Sequence, residues 1–339
     1  MPETANLRFG EAVNVALRRA LESWPETLLY GEDVARPGGV FGVTRRLHRD
    51  FGDRVFDTPI SESAIIGSAV GAAMMGRRPI VEIMWIDFTL VGIDQVINQA
   101  ANVRYVSRGA VRAPITIRTQ QGSTPGSCAQ HSQSLEALFA HVPGLRVCLP
   151  STAQDAHDLL LSAIACDDPT LVIESRALYN GEHEQVVIGG EIAPIGGSRH
   201  RRHGSDLTVV TWGALARTVE AATASLAGEG VDVDLIETVW LNPFDTDAVL
   251  ASVERTGRLL VVHEANVTGG FGAEVLARVA ESGIAMRSAP RRLGLPDLRV
   301  PAAPHLSGAV LPTADRVIAA ARQLVAGSPN LHAQTGVPQ

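Results

Sequence analysis

The chain has 339 residues, enough for two ordinary domains with a core each. Its 45% apolar and 19% charged residues describe a soluble globular protein, and a net charge of −7 without a basic stripe excludes nucleic acid as the main partner. Three cysteines without CxxC spacing exclude a disulfide framework and point to a reducing cytoplasm. No basic-then-apolar leader opens the sequence and no apolar run reaches about 18 residues, so neither a signal peptide nor a membrane span is expected.

Helical spacing of Phe9, Val13, Ala16, Leu17, Ala20, Leu21 and Trp24 predicts a first helix that Pro25 ends. Apolar runs at Thr27–Tyr30, Pro79–Trp85, Pro114–Thr119, Leu145–Leu149 and Thr170–Glu174 read as buried strands. Between them Ser63–Met75, Ile93–Tyr105, Ser134–His141 and Ala153–Ala165 read as helices. This alternation predicts an α/β fold with a mostly parallel sheet covered on both faces. Gly181–Ser205 has no sustained period and reads as linker, its Arg199-His200-Arg201-Arg202-His203 cluster as a solvated run. The alternation then restarts with strands Leu207–Thr211, Val233–Thr238 and Leu259–His263. Helices Ala214–Ala227, Thr246–Glu254, Gly272–Ala280 and Ala314–Leu324 accompany them. The expected division is a first domain over 1–190, a linker over 191–205, a smaller second domain over 206–330 and a tail over 331–339.

Three places could carry chemistry. In Asp57-Thr58-Pro59-Ile60-Ser61-Glu62 a carboxylate stands at a strand-to-helix junction, followed by Ile65, Ile66 and many small residues. Burial there would make Glu62 hold its proton more tightly, whereas the plainer reading is a helix-start acid with Ser61 as cap. The small residues let another helix approach closely. The loop Gln120–Gln133 follows a strand and precedes a helix, where open α/β sheets present ligand groups, and its His131 is either an acid–base or a helix-capping or solvent-facing histidine. In Glu82-Ile83-Met84-Trp85-Ile86-Asp87-Phe88, Met84 and Phe88 either pack on a flat heteroaromatic ring or belong to the core. His263-Glu264 and Gly269-Gly270-Phe271-Gly272 read as structural, and no phosphate loop, HExxH or GxSxG motif occurs.

In order and spacing, these strings resemble the β subunit of the thiamine-diphosphate-dependent decarboxylating component of 2-oxo acid dehydrogenase complexes. The resemblance runs along nearly the whole chain through Gly31-Glu32-Asp33-Val34, Asp57–Glu62, Asp94-Gln95-Val96-Ile97-Asn98, Gln130-His131-Ser132-Gln133, Pro143-Gly144-Leu145 and His263-Glu264 with Thr268-Gly269-Gly270. It implies a pyrimidine-type thiamine-diphosphate-binding parallel-sheet domain followed by a transketolase C-terminal-like α/β domain. Glu62 matches the glutamate that hydrogen-bonds the cofactor's aminopyrimidine, Met84 and Phe88 the apolar positions beside that ring, with Ile60 close by. His131 matches the histidine that assists acyl transfer to a lipoyl group. Ile115, Ala163, Ile164, Cys166 and Asp168 match a potassium site built largely from backbone carbonyls, with Cys166 and Asp168 departing from the usual residue types.

The Gly-Asp-Gly and distant Asn that hold diphosphate and magnesium are not in this sequence. In the family an α subunit supplies them, so the resemblance implies an α₂β₂ heterotetramer that docks on a lipoyl acyltransferase core. The expected reaction is oxidative decarboxylation of pyruvate or a branched-chain 2-oxo acid. The alternatives are an acetoin-cleaving β subunit and a non-catalytic docking subunit. Ile83–Phe88 looks more like the acetoin or pyruvate branch, while Val210–Gly213 and His263–Phe271 look like branched-chain members, which leaves the substrate open.

Overall fold

The computed structural model describes residues 3–327, so the tail expected over 331–339 lies outside the described residues. The chain forms β1 (Glu3–Leu7), α1 (Phe9–Ser23), β2 (Thr27–Gly31), α2 (Leu47–Phe51), β3 (Val55–Asp57), α3 (Glu62–Met74), β4 (Arg78–Ile83) and α4 (Ile86–Thr89). It continues through α5 (Val103–Val106), β5 (Thr116–Gln121), α6 (Glu136–Ala140), β6 (Arg146–Cys148), α7 (Ala153–Ala165), β7 (Thr170–Ser175) and β8 (Glu184–Ile188). Then follow β9 (Arg199–Arg202), β10 (Leu207–Thr211), α8 (Leu215–Gly228), β11 (Val233–Glu237), β12 (Trp240–Asn242), α9 (Thr246–Thr256), β13 (Leu259–Asn266), α10 (Gly272–Glu281), β14 (Arg291–Leu295), α11 (Pro304–Val310) and α12 (Ala314–Val325).

The described residues form two compact units, one of residues 3–196 with 239–243, the other of 197–238 with 244–327. In the first unit the strands lie in the order β12-β6-β7-β5-β4-β2-β3, all parallel except β12. Strands buried on both sides are rich in apolar residues, which makes β2, β4 and β7 visible in the sequence, while β5 shows through Ile117 and the preceding Ile115 although it also buries Arg118, Gln120 and Gln121. The stripe Phe9, Ala12, Val13, Ala16, Leu17, Ala20, Leu21 is buried, and α1 lays it against α7. Glu11 starts that helix by accepting the Arg8 N–H at 2.8 Å. Thr152 caps α7 by accepting the Asp155 N–H at 3.0 Å.

The second unit has the order β14-β13-β10-β11-β9, parallel except for β9. Leu207, Val209, Leu235, Leu260 and Val262 of its strands form a core with Val219 and Leu226 of α8 and Val317, Ala321 and Leu324 of α12.

Three expectations need correction. The stretch Gly181–Ser205 is not merely a linker. Its residues 184–188 pair antiparallel with β1, and 199–202 form the edge strand β9 on β11. The periodicity missed both because β9 has no apolar residue and β8 buries only Val186 of its short apolar run. β9 is fastened by charge instead, through Arg201 to Glu237 (2.5 Å) and His200 to Asp234 (2.7 Å). Residues 239–243, placed with the second domain, belong to the first unit, since Trp240 pairs with Cys148. The helix expected over Ile93–Tyr105 is a π-helical stretch, Gln95–Ala100, followed by the short α5. That widened turn lies against α3, where Gly67 faces the Gln95 side chain and Gly92 faces Ile66 and the Glu62 carbonyl. A Cβ on Gly92 would come within 2.6 Å of Ile66.

Candidate active site

Parallel strands gather their carboxyl ends on one edge of a sheet, and the reversal of strand order opens a crevice there. In the first unit the chain runs from β2 outward to β3 and then crosses to β4, so the crevice lies beyond β2 and β4. Glu32 follows β2, Asp57 ends β3 and Glu62 starts α3 after it, Met84 follows β4 and the loop to Gln133 extends from the end of β5. The sequence-derived residues Glu62, Met84, Phe88 and His131 thus all emerge along that edge.

Asp57 builds the wall of this edge. Its carboxylate accepts the N–H groups of Ala35 (2.6 Å) and Arg36 (3.2 Å), holding the turn after β2 beside α3. Ser61 makes no side-chain cap bond, so the plain capping reading of this helix start does not hold. Ser63 instead donates to the Val91 carbonyl at 2.6 Å, tying the start of α3 to the segment after α4. Glu62 itself is only half-buried, not buried as its apolar neighbours suggest. Ile65 and Ile66 turn into the core, whereas Ile60 is 71% exposed and Val91 59%. The carboxylate of Glu62 makes no hydrogen bond or ion pair among the described residues. It does lie within electrostatic range of Glu32, whose carboxyl is pushed up by burial and then by the charges of Asp33 and Glu62.

His131 is clasped from three sides. Its ring stands edge-on to Trp85 (5.4 Å between centroids) and to Phe88 (5.6 Å). The Arg176 guanidinium lies 4.0 Å over the Trp85 ring and donates from Nη2 to the carbonyls of Gly122 (2.6 Å) and of His131 itself. Two residues on, Gln133 donates from Nε2 to Asp87 at 2.9 Å. The loop is thereby fixed to the α4 segment at both its backbone and its side chains. Sequence reasoning gave no role to Glu32, which stood in a resemblance string, or to Trp85, and passed over Arg176. Trp85 stood inside a string already singled out, but Arg176 is 45 residues from His131 and only the sheet joins them.

Beneath this edge runs a buried charge network across β4, β5 and β7. Arg118 donates from Nη1 to Glu82 (2.7 Å) and from Nε and Nη2 to Glu174 (2.7 and 2.9 Å); Tyr179 donates to Glu174 at 2.5 Å. Arg118 pairs in register with Glu82, so the strands themselves set the contact. Burial pushes the Glu82 carboxyl up, opposed by Arg118 and reinforced by Glu174. Burial also opposes the charge on Arg118, but Glu174 and Glu82 outweigh it and hold the guanidinium above its ordinary range. The network positions Glu82, two residues before Met84, as part of a rigid floor.

The five potassium positions come together at the end of α7, but their carbonyls are engaged. The Ile115 oxygen takes the Thr170 N–H (2.9 Å) and the Ala163 oxygen the Cys166 N–H (3.2 Å). Arg78 Nη1 donates to both Ile164 (2.5 Å) and Cys166 (2.9 Å), while Asp168 pairs with Arg104 and Arg146. A guanidinium meets this loop, so these residues do not fit a bare potassium ion.

The second unit treats its own crevice differently. There the strand order reverses between β10 and β13, and Trp212, just past β10, stacks on His263 of β13 at 5.4 Å and 5°. Phe271 and Phe244 continue the plug. Gly270, Gly272 and Gly294 press on the imidazole; a Cβ at any of them would approach within 2.9 Å of His263 ring atoms. His263 is fully buried, bonds the Ala265 carbonyl through Nδ1 at 3.0 Å, and has its pKa lowered by burial to about 4. The structural reading of His263 and its glycines agrees with this packing.

Comparison with known proteins gives two domains as well, with residues 239–243 falling inside the second match. Residues 5–182 match the transketolase pyrimidine-binding domain and residues 196–317 the transketolase C-terminal domain. The chain is 39% identical to the acetoin:2,6-dichlorophenolindophenol oxidoreductase subunit β of Cupriavidus necator, covering 93% of this chain and 96% of that one. It is 39% identical to the pyruvate dehydrogenase E1 component subunit β of Acholeplasma laidlawii (86% and 90%) and 36% identical to the 2-oxoisovalerate dehydrogenase subunit β of Bacillus subtilis (94% and 98%). A split-gene transketolase in an inactive β4 tetramer shares the fold, with a TM-score of 0.76 at 19% identity over 95% of this chain and 99% of that one. Among the described residues no helix is long and apolar enough to cross a membrane.

Proposed function

The chain belongs to the family of transketolase-like β subunits of thiamine-diphosphate-dependent 2-oxo acid dehydrogenases, and from that membership we propose that it is one half of a two-chain active site. The observation that carries this reading is Glu62. A carboxylate without hydrogen bond or ion pair among the described residues, half-exposed between the exposed Ile60 and Val91, is a site wall whose opposite side is missing. Along α3 the exposed Ala64, Ser68, Gly71 and Met75 continue that face, a surface suited to close helix contact. An α subunit is the occupant proposed, holding the diphosphate and magnesium, in an α₂β₂ assembly of the cytoplasm.

The residues fit the cofactor. Glu62 has its carboxylate free to bond an aminopyrimidine, and Phe88, Met84 and Ile60 offer the apolar surface a flat ring needs. When bound, thiamine diphosphate supplies the electron sink for decarboxylation. Glu62 holds or releases the proton at the ring nitrogen. His131, fixed between Trp85 and Phe88 with neither ring nitrogen hydrogen-bonded among the described residues, presents an acid–base group toward the substrate and the arriving lipoyl sulfur. Arg176 and Asp87 keep its loop in register.

The substrate proposed is a 2-oxo acid, pyruvate or a branched-chain one, with lipoyl as acceptor. Acetoin is retained as the second substrate because the Cupriavidus relative covers 93% of this chain at 39% identity. Co-expression with an α chain carrying the diphosphate motif, followed by assays of pyruvate, branched-chain 2-oxo acids and acetoin, tests the reading. Turnover of at least one substrate is expected only with both chains present and should nearly vanish in Glu62→Gln. Turnover by this chain alone, or a near-normal Glu62→Gln enzyme, overturns it; assembly without turnover favours the docking-subunit alternative.

A further inference from the structure

The edge strand of the second unit carries a side-chain cluster that the proposed reaction does not use. His200 pairs with Ile236 across β9 and β11, and residues 234 and 236 share one face of β11. The His200 ring therefore lies diagonally over Asp234, within reach of it. Nε2 of His200 is 2.7 Å from Asp234 Oδ1, and Nδ1 of His203, just past the strand, is 3.9 Å from the same oxygen. The two imidazoles are 4.0 Å apart, and one ligand atom from each of the three residues lies within 4.8 Å of the others.

Asp234 is fully buried and firmly oriented. Oδ1 also accepts the Gly204 N–H (3.1 Å), while Oδ2 accepts from Ser252 and from Arg255 Nη2 (2.5 Å). Metal bonds to histidine nitrogen and carboxylate oxygen run about 2.0–2.2 Å, which sets neighbouring ligand atoms about 3–3.5 Å apart. His200 and Asp234, now in direct hydrogen-bond contact at 2.7 Å, would part slightly to admit an ion, and His203, 81% exposed, would turn inward from 3.9 Å. The proton between His200 and Asp234 is what an ion would replace. Ser252 and Gly204 supply the outer hydrogen bonds that keep a ligating carboxylate in place. Arg255, on the other oxygen, is the competing charge.

We propose that His200, His203 and Asp234 bind a divalent transition-metal ion of the zinc class, with water completing the coordination. The ion clamps β9 onto β11, so it is a structural fastening and not part of the reaction.

The test uses the tag-free full chain, stripped with EDTA and titrated with zinc against a chromophoric chelator, with thermal melting in parallel. One equivalent should bind in the micromolar range, and His200→Asn and His203→Asn should each weaken binding by at least about tenfold. Arg255→Gln should tighten it severalfold, and zinc should raise the melting temperature of the wild type but not of His203→Asn. His203 is solvent-facing, so its variant keeps the fold and its metal-free melt should match the wild type. No saturable binding by the wild type up to about 100 μM, or unchanged binding in His203→Asn, overturns the proposal.

Discussion

The two crevices of this chain differ in what fills them. Both units are parallel α/β sheets whose strand order reverses, and both place titratable side chains at that reversal. In the second unit Trp212 lies flat on His263 and three glycines close over the ring, leaving no room for a ligand. In the first, Glu62 is left without a hydrogen bond among the described residues, and Ile60 and Val91 stand in solvent. One fold thus carries a packed crevice in one place and an open one in another. The choice rests on a few residues at the strand ends, not on the sheets.

Changes at the open crevice should therefore alter chemistry, and changes at packed places stability. The largest effect is expected for Glu62→Gln in the assembled enzyme. Loss of a positioned proton carrier should lower turnover by about 10²–10⁴-fold. Because the side chain has no partner among the described residues, the melt should be unchanged within about 0.5 kcal/mol. A large fall in stability would mean that Glu62 is a structural acid after all. Next comes the floor under the site. Arg118→Met leaves Glu82 and Glu174 buried without their counter-charge, a change costing about 3–5 kcal/mol in denaturant unfolding. A loss under about 1 kcal/mol would show that protonation relieves the pair.

The plugged crevice gives a pH signature. His263 has its pKa lowered from 6.5 to about 4, so between those values the unfolded chain binds the proton that the folded chain refuses. Stability is then undiminished above pH 6.5 and falls by about 3 kcal/mol in total as the pH drops to 4. His263→Gln should flatten that slope; parallel wild-type and variant curves would sink the assignment. The smallest effect is expected at Arg176, a positioning residue. Arg176→Met should lower kcat by about tenfold while KM and the melt stay put, with partial rescue in Arg176→Lys through its retained charge over Trp85. Equal changes in stability and kcat would mark it as merely structural.

Much of the first unit was legible because β2, β4, β5 and β7 are buried on both faces and α1 and α7 carry regular apolar stripes. The edge strands were not. β9 is built from arginine and histidine and takes its stability from ion pairs with β11, which no hydrophobic period reports. Local strings together with the family resemblance singled out Glu62 and His131, and the structure brings both to the carboxyl edge of the first sheet. The exposure of Glu62 was not legible, because the same apolar neighbours can turn inward, as Ile65 and Ile66 do, or outward, as Ile60 does. Arg176 became visible only when β7 and β5 were side by side.

Strand β12 has a consequence for how the protein is made. Its three residues complete the first sheet's edge beyond β6, yet they are translated after the first three strands and first helix of the second unit. During synthesis the first sheet therefore waits, one edge unpaired, until the ribosome has passed residue 243. A chain cut at the apparent boundary near residue 196 would keep that edge bare for good. The boundary visible in space is thus no safe place to divide the gene.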